Sequence, residues 1–346
     1  MDKIDFRSDT VTHPTANMRQ AMLEADVGDD VYGEDPTVNR LQEMAARRFG
    51  KEAGLLVTSG TMGNLTCMLA HCGRGERVIL DRQAHIYRSE AGNPAAMGSI
   101  QPWTLTSGRD GTIPLEDIED SIYGDEDPHD AQTTLVALEN THSASGGQPL
   151  PTEYINSVGD ICQRRGLKLH IDGARIFNAA AALQTDVATL TRAADSVSFC
   201  LSKGLCAPVG SVIVGSEEFI WRANRMRKAL GGAMRQAGVF AAAGIVALEE
   251  MTERLEEDHI HARQLAEALA NIPAIDIDMS VKRTNMVYFG LHLDAKLDAP
   301  GLTEKMKADN LWLDCTGPRG FRMVTHYWIK AEHIELALRR IKIYLS

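Results

Sequence analysis

From about residue 50 the chain alternates short apolar runs with segments of helical period. Residues 55–58 (LLVT) precede a small-residue turn and a helical stretch reaching Ala70, 78–80 (VIL) end at Asp81, and 134–138 (TLVAL) end at Glu139. Further on, 167–171 (LKLHI) end at Asp172, and 196–201 (SVSFCL) stop just before Lys203. Runs of Val, Ile and Leu too short for helices, each followed by a helical segment, predict an α/β fold with a mainly parallel sheet covered by helices. Ligands of such sheets collect beyond the carboxyl ends of the strands. The polar residues gathered there are Ser59, Gly60 and Thr61, then Asp81 and His85, then Glu139, Asn140 and His142, then Asp172 and Arg175, and lastly Ser202 and Lys203. One shared mouth is predicted.

Residues 208–214 (PVGSVIV) predict a returning strand, followed by helical stretches over 217–230 and 236–272 with weak points near Gly244 and Asp258. Alternation resumes at 285–289, with a helix near 302–310, a strand over 321–325 and a closing amphipathic helix over 331–345. This pattern divides the 346 residues into an N-terminal arm (1–25), a large domain (26–249) and a small C-terminal α/β domain (250–346).

The composition, 44% hydrophobic and 24% charged, is that of a globular chain. Its net charge of −11 argues against nucleic acid, whose binders concentrate Lys and Arg. No run approaches the length of a membrane span, and MDKIDFRSDT lacks the basic-then-apolar pattern of a signal peptide, so a cytoplasmic protein without membrane contact is expected. The six cysteines form no CxxC pair and are expected to be reduced. No metal is expected: zinc has no evident ligand set, and His259 and His261, two apart on a helix, diverge.

Lys203 is the one charged residue in SFCLSKGLCAPVGS. An ammonium just past a buried strand is costly unless paired or used. Two readings fit it: a stem that carries the charge back to water, and an amine nucleophile for a carbonyl compound. In HIDGAR, Asp172 closes a strand with Arg175 three residues on. That pair suits a protonated pyridine nitrogen beside an anionic group, as pyridoxal phosphate requires, although the Asp could equally cap the next helix. The turn TSGTMGN offers small residues and backbone N–H groups at a helix start, either as a phosphate seat or as an ordinary capped turn, and it matches neither GxGxxG nor GxxxxGK[ST]. His85 and His142 are loop histidines, fit for a cofactor ring or proton transfer and equally for plain polar surface.

Taken in order, DFRSDTVT from Asp5, GDDVYGEDPTVNRLQ from Gly28, SGTMGN, LENTH, HIDGARIFNAA, SFCLSKGL and MRQAG from Met234 carry a resemblance. The chain resembles the threonine aldolase family, low-specificity pyridoxal-phosphate lyases of the aspartate-aminotransferase type of fold (fold type I, with a mainly parallel seven-stranded sheet). The match runs from residue 4 to about 265 and more loosely through RMVTH from Arg322. The resemblance implies retro-aldol cleavage of L-threonine and L-allo-threonine, and of other L-3-hydroxy amino acids, to glycine and an aldehyde.

The same resemblance implies residue roles. Lys203 would link covalently to pyridoxal 5'-phosphate, Asp172 would hold the pyridine nitrogen, Gly60 and Thr61 the phosphate, and His85 the ring face. Arg175 would contact the cofactor or, with Ser8 and Arg322, the substrate carboxylate, with His142 near the substrate hydroxyl. His85, His142 or a water between them would be the base. Arg235 and Tyr32 would reach a neighbouring subunit's site in a homotetramer built as a dimer of dimers. Two departures stand out: Ser89 replaces an aromatic, widening the pocket, and SASGG after His142 is longer than in some relatives. The competing readings are a β-eliminating lyase or transaminase on another amino acid, and a non-enzymatic scaffold of the same fold.

Overall fold

The computed structural model describes residues 3–124 and 126–346. Thirteen strands are present among them: β1 (Ile4–Asp5), β2 (Ala53–Val57), β3 (Arg77–Asp81), β4 (Gln101–Leu105), β5 (Thr133–Glu139), β6 (Lys168–Asp172), β7 (Ser196–Cys200), β8 (Ser211–Gly215), β9 (Ile275–Asp276), β10 (Met286–Leu291), β11 (Leu311–Trp312), β12 (Asp314–Cys315) and β13 (Gly320–Val324). Seven form the central sheet in the order β2-β8-β7-β6-β5-β3-β4. It is parallel except for β8, which returns antiparallel between β2 and β7. A second, antiparallel sheet follows the order β12-β13-β10-β9.

Strands β3, β7 and β8 at the centre of the sheet are buried at every position, their polar residues included. Helix starts carry the caps expected of them. Asp35 accepts from the Thr37 and Val38 N–H groups ahead of Pro36–Phe49, and Ser59 accepts from Met62 N–H ahead of Gly60–His71. Strand β4 escapes the sequence pattern because it is an edge: its burial is partial, and it tolerates Pro102 where no inner strand would.

Two sequence expectations are corrected. Gly244 and Asp258 do not break the helical stretch. Gly244 lies inside Gly238–Val246, where a Cβ would come within 2.9 Å of Leu41 and Leu201, and buried Asp258 lies inside Leu255–Ala270, paired with Arg254 at 2.6 Å. The interruption falls between them, after a π-helical turn at Ala247–Met251. The first 25 residues are also tied into the cores. Ile4 and Phe6 pack with the second sheet, β1 pairs with β11, and Met18 joins the main cluster. A three-residue apolar patch is too short to register as a periodic signal.

Among the described residues no helix is long and apolar enough to cross a membrane. All six cysteines are unpaired.

A polar chain runs through the core behind the site. His71 Nε2 and His170 Nδ1 lie 2.8 and 2.9 Å from the Ser196 hydroxyl. Burial is the main cause that pushes His71 and His170 down to about 3 and His259 to about 4. Unfolded histidine titrates near ~6.5, so below that pH the unfolded chain binds protons the folded chain refuses, and stability falls as pH falls. Urea titrations at about pH 7 and about pH 5 are expected to show a lower midpoint in acid. His85 and His142, whose pKa values are raised by Glu90 and Asp81, work the other way over this window, so a higher midpoint in acid is the outcome that would contradict dominance by the three buried neutral imidazoles.

Candidate active site

The carboxyl ends of β3, β5, β6 and β7 meet around two cavities. The smaller, about 290 Å³, is lined by Ser59, Gly60, Thr61, Asn64, Glu90, Asp172 and Ser202, among others. The larger, about 830 Å³, is lined by Ser8, Ser89, Glu139, Ser143, Ser145, Arg175 and Arg322, among others. Thr10, His85 and Lys203 line both. Lys203 therefore stands at the passage between them, three residues beyond β7, with its carbonyl held by Thr12 Oγ1 at 2.8 Å.

Asp172 ends β6 in register with Glu139 on β5 and Ser198 on β7. Its carboxylate accepts from Asn64 Nδ2 at 2.9 Å and from Ala174 N–H at 3.1 Å. Asn64 also donates to Glu90 at 2.9 Å, while its Oδ1 accepts from Ser198 Oγ at 2.8 Å and faces His170 Nε2 at 3.2 Å. His85 Nδ1 sits 2.8 Å from Glu90, and that bond is the main cause raising the His85 pKa. Burial raises the Glu90 pKa in turn. His85, Glu90 and Asp172 offer donor atoms within 4.8 Å of one another. Asn64 already bridges the two carboxylates, and the three line the smaller cavity.

The larger cavity has its own electrostatics. Arg175 Nε and Nη2 grip the wholly buried Asp9 at 2.7 and 2.5 Å, and Nη1 lies 3.4 Å from Ser143 Oγ. Burial works to raise the Asp9 pKa, yet the Arg175 charge and hydrogen bonds hold it well below the usual range. Arg322 pairs with Asp314 at 2.7 Å, and its Nε is buried without a partner. Glu139 receives the N–H groups of His85 at 2.7 Å and Ser143 at 2.9 Å, fixing two loops at once.

Gly60, Thr61, His85, Asp172 and Lys203 thus surround the smaller cavity, and Ser8, His85, Arg175, Lys203 and Arg322 the larger. His142 is placed differently from these residues. It is 1% exposed and does not line either cavity, with Nε2 2.8 Å from Asp81 and Nδ1 2.9 Å from Ser145 Oγ. Burial alone would favour the neutral imidazole, but Asp81 and Glu139 outweigh it and raise its pKa. Tyr32 (76% exposed) and Arg235, paired with Asp29 at 2.9 Å, also lie outside both cavities of this chain. Sequence reasoning gave no role to Asp9, Asn64 and Glu90. Asp9 and Asn64 act through partners 166 and 108 positions away, and such pairing leaves no local motif, whereas Glu90 lies only five residues from His85.

The beta-eliminating lyase family model matches residues 5–292. Low-specificity L-threonine aldolase 1 of Arabidopsis thaliana is 46% identical over 98% of this chain and 95% of its own length. The low specificity L-threonine aldolase of Escherichia coli K12 is also 46% identical, over 96% of each chain. The chain belongs to the beta-eliminating lyase family, among the low-specificity L-threonine aldolases. Two solved structures share the fold of this aldolase: threonine aldolase from Leishmania major (TM-score 0.83, 18% identity, 99% of each chain) and a putative L-allo-threonine aldolase from Listeria monocytogenes (TM-score 0.78, 21% identity, 95% of this chain and 92% of that one). Elimination chemistry, which the family's name includes, is not favoured by near full-length relatives that carry the aldolase name.

The Asp9–Arg175 pair yields a prediction for the aldolase. Asp9→Ala strands a buried guanidinium and is expected to cost about 3–5 kcal/mol in urea unfolding, and adding Arg175→Met is expected to recover much of it. Equal losses in the single and double variants would contradict the pairing.

Proposed function

We infer that this enzyme is a pyridoxal-phosphate-dependent lyase that cleaves the Cα–Cβ bond of L-threonine and L-allo-threonine to glycine and acetaldehyde. The observation that carries the residue assignment is the position of Lys203 between a cavity ending in a helix N-terminus and a cavity bearing Arg175 and Arg322. The smaller cavity fits the cofactor by the chemistry of its donors. The Gly60–His71 helix start, with the Ser59, Thr61 and Ser202 hydroxyls, suits a phosphate. Asp172 suits a protonated pyridine nitrogen, since Asn64 and Ala174 hold its carboxylate as an acceptor. Lys203 is the amine for covalent attachment, and His85, steadied by Glu90, serves the ring face.

Pyridoxal phosphate, when bound, supplies an electron sink for the pair left at Cα. Everything else falls to the chain. Ser8, Arg175 and Arg322 bind the amino acid carboxylate, Arg175 with its plane set by Asp9 and Arg322 with an unsatisfied Nε to offer. A carboxylate fixed there orients the bond that breaks. The cavity's size and the small Ser89 extend the substrate class to bulkier L-3-hydroxy amino acids.

We also propose that subunits share sites in a homo-oligomer, a tetramer of two dimers, because Tyr32 and Arg235 sit together on the surface outside their own chain's cavities. Cytoplasmic action is our reading from the six unpaired thiols.

The deciding assay measures acetaldehyde and glycine from purified, cofactor-loaded protein given each threonine diastereomer separately. Equal amounts of the two products are expected. Pyruvate-type products with ammonia would point to elimination instead. Lys203→Ala is expected to abolish turnover and the cofactor's visible absorbance together. Mixing the inactive Lys203→Ala and Arg235→Ala chains during refolding is expected to restore part of the activity, and no recovery would argue against shared sites.

A further inference from the structure

We propose that Ser145 takes the β-hydroxyl proton of the substrate, with His142 and Asp81 behind it as a proton relay. The inference rests on the aldolase reading. It follows from what each of the three side chains is free to do.

His142 is sealed beneath the cavity wall and cannot itself reach a substrate. Its Nε2 lies 2.8 Å from Asp81 Oδ2. The other Asp81 oxygen accepts Ser107 N–H at 3.1 Å, so this carboxylate acts as an acceptor on both sides. The proton of the neutral imidazole therefore sits on Nε2, and Nδ1 is left as an acceptor. Nδ1 receives the Ser145 backbone N–H at 3.2 Å and lies 2.9 Å from Ser145 Oγ. The Ser145 hydroxyl thus points its hydrogen at the imidazole and turns its lone pairs outward. Ser145 lines the larger cavity, together with Lys203 and Arg175.

The local backbone holds this arrangement. His142 caps the single turn Ser143–Ser145, its N–H bonds to Gln148 O at 2.8 Å, and its carbonyl accepts Gly147 N–H at 3.0 Å. Gly146 and Gly147 take φ of 85° and 77°, which lets the chain fold back at once. Gly111 packs closely beside His142: a Cβ there would come within 2.8 Å of His142 Cβ, so a side chain at this position would disturb the histidine.

The step balances. The β-hydroxyl proton passes to Ser145 Oγ as the Ser145 proton passes to His142 Nδ1. Ser145 ends as an intact hydroxyl and His142 as a cation between Asp81 and Ser145. The electrons of the substrate O–H bond form the aldehyde carbonyl, the Cα–Cβ bond breaks, and its pair stays with the glycine fragment until a proton is added there.

Three measurements test the relay. Ser145→Ala is expected to lower kcat for L-threonine about tenfold or more with little change in KM, and Ser145→Thr is expected to restore much of it. Deuterium exchange at the glycine α-carbon, followed by NMR, involves no hydroxyl, so cleavage should fall relative to exchange. Nitrogen-15 NMR of the histidines, with His142→Asn giving the assignment, is expected to find His142 protonated at Nε2 alone when neutral. The relay is overturned if Ser145→Ala cleaves within twofold of the parent, if exchange falls in parallel with cleavage, if only His85→Asn separates the two reactions, or if the His142 proton sits on Nδ1. A parent enzyme that releases no aldehyde would overturn the aldolase reading along with the relay, whereas a normal parent with an unaffected Ser145→Ala overturns the relay alone.

Discussion

The amide of Asn64 is the joint on which the site turns. One side of it accepts from Ser198 and faces His170, and the other donates to Asp172 and Glu90. The direction of each bond is forced: two carboxylates can only accept, so the amide must present nitrogen to them and oxygen to the core. That fixes the outer face of Asp172 as an acceptor and places Glu90 where it can hold His85. The order reaches back through His170 and Ser196 to His71, so the first helix after β2 and strands β6 and β7 share one continuous polar thread. A buried polar atom left without its partner costs about 1–3 kcal/mol, which makes a partly formed thread worse than none.

Two imidazole–carboxylate pairs flank this joint and differ in their access to the cavities. Of the first pair, His85 lines both cavities and Glu90 the smaller, where the ring can meet a cofactor. His142–Asp81 is closed off, with Ser145 on the histidine and Ser107 on the carboxylate between it and the larger cavity. Glu139 sits between them and takes a backbone N–H from the loop of each. Its carboxylate spaces the two loops, and its negative charge favours a cation on His142.

The central sheet was legible because its inner strands are largely buried and read as short, mostly apolar runs. The strand-end rule then gathered Gly60, Asp172, Arg175 and Lys203 without any knowledge of contacts. What stayed hidden has a common physical cause. Strand β4 is half exposed, so its pattern does not stand out from a loop. Asp9 and Asn64 look like ordinary polar residues until chain segments far apart in sequence meet them. His142 shows the opposite limit. Its motif marks it as functional, but only the packing of Gly111 and the turn at Ser145 decides which way the ring faces.

The pairing of Ile4–Asp5 with Leu311–Trp312 has a consequence for the order in which the molecule is made. A chain leaving the ribosome at ~5–20 residues per second holds its first strand without a mate for roughly 15 to 60 s. Asp9 waits on a similar clock for Asn285, which bonds it at 3.2 Å. The central sheet has all its strands once residue 215 has emerged, yet the corner of the larger cavity that holds Arg322 closes only with the last quarter of the chain. Biogenesis therefore ends at the active site, and an interrupted nascent chain carries a finished scaffold with no working pocket.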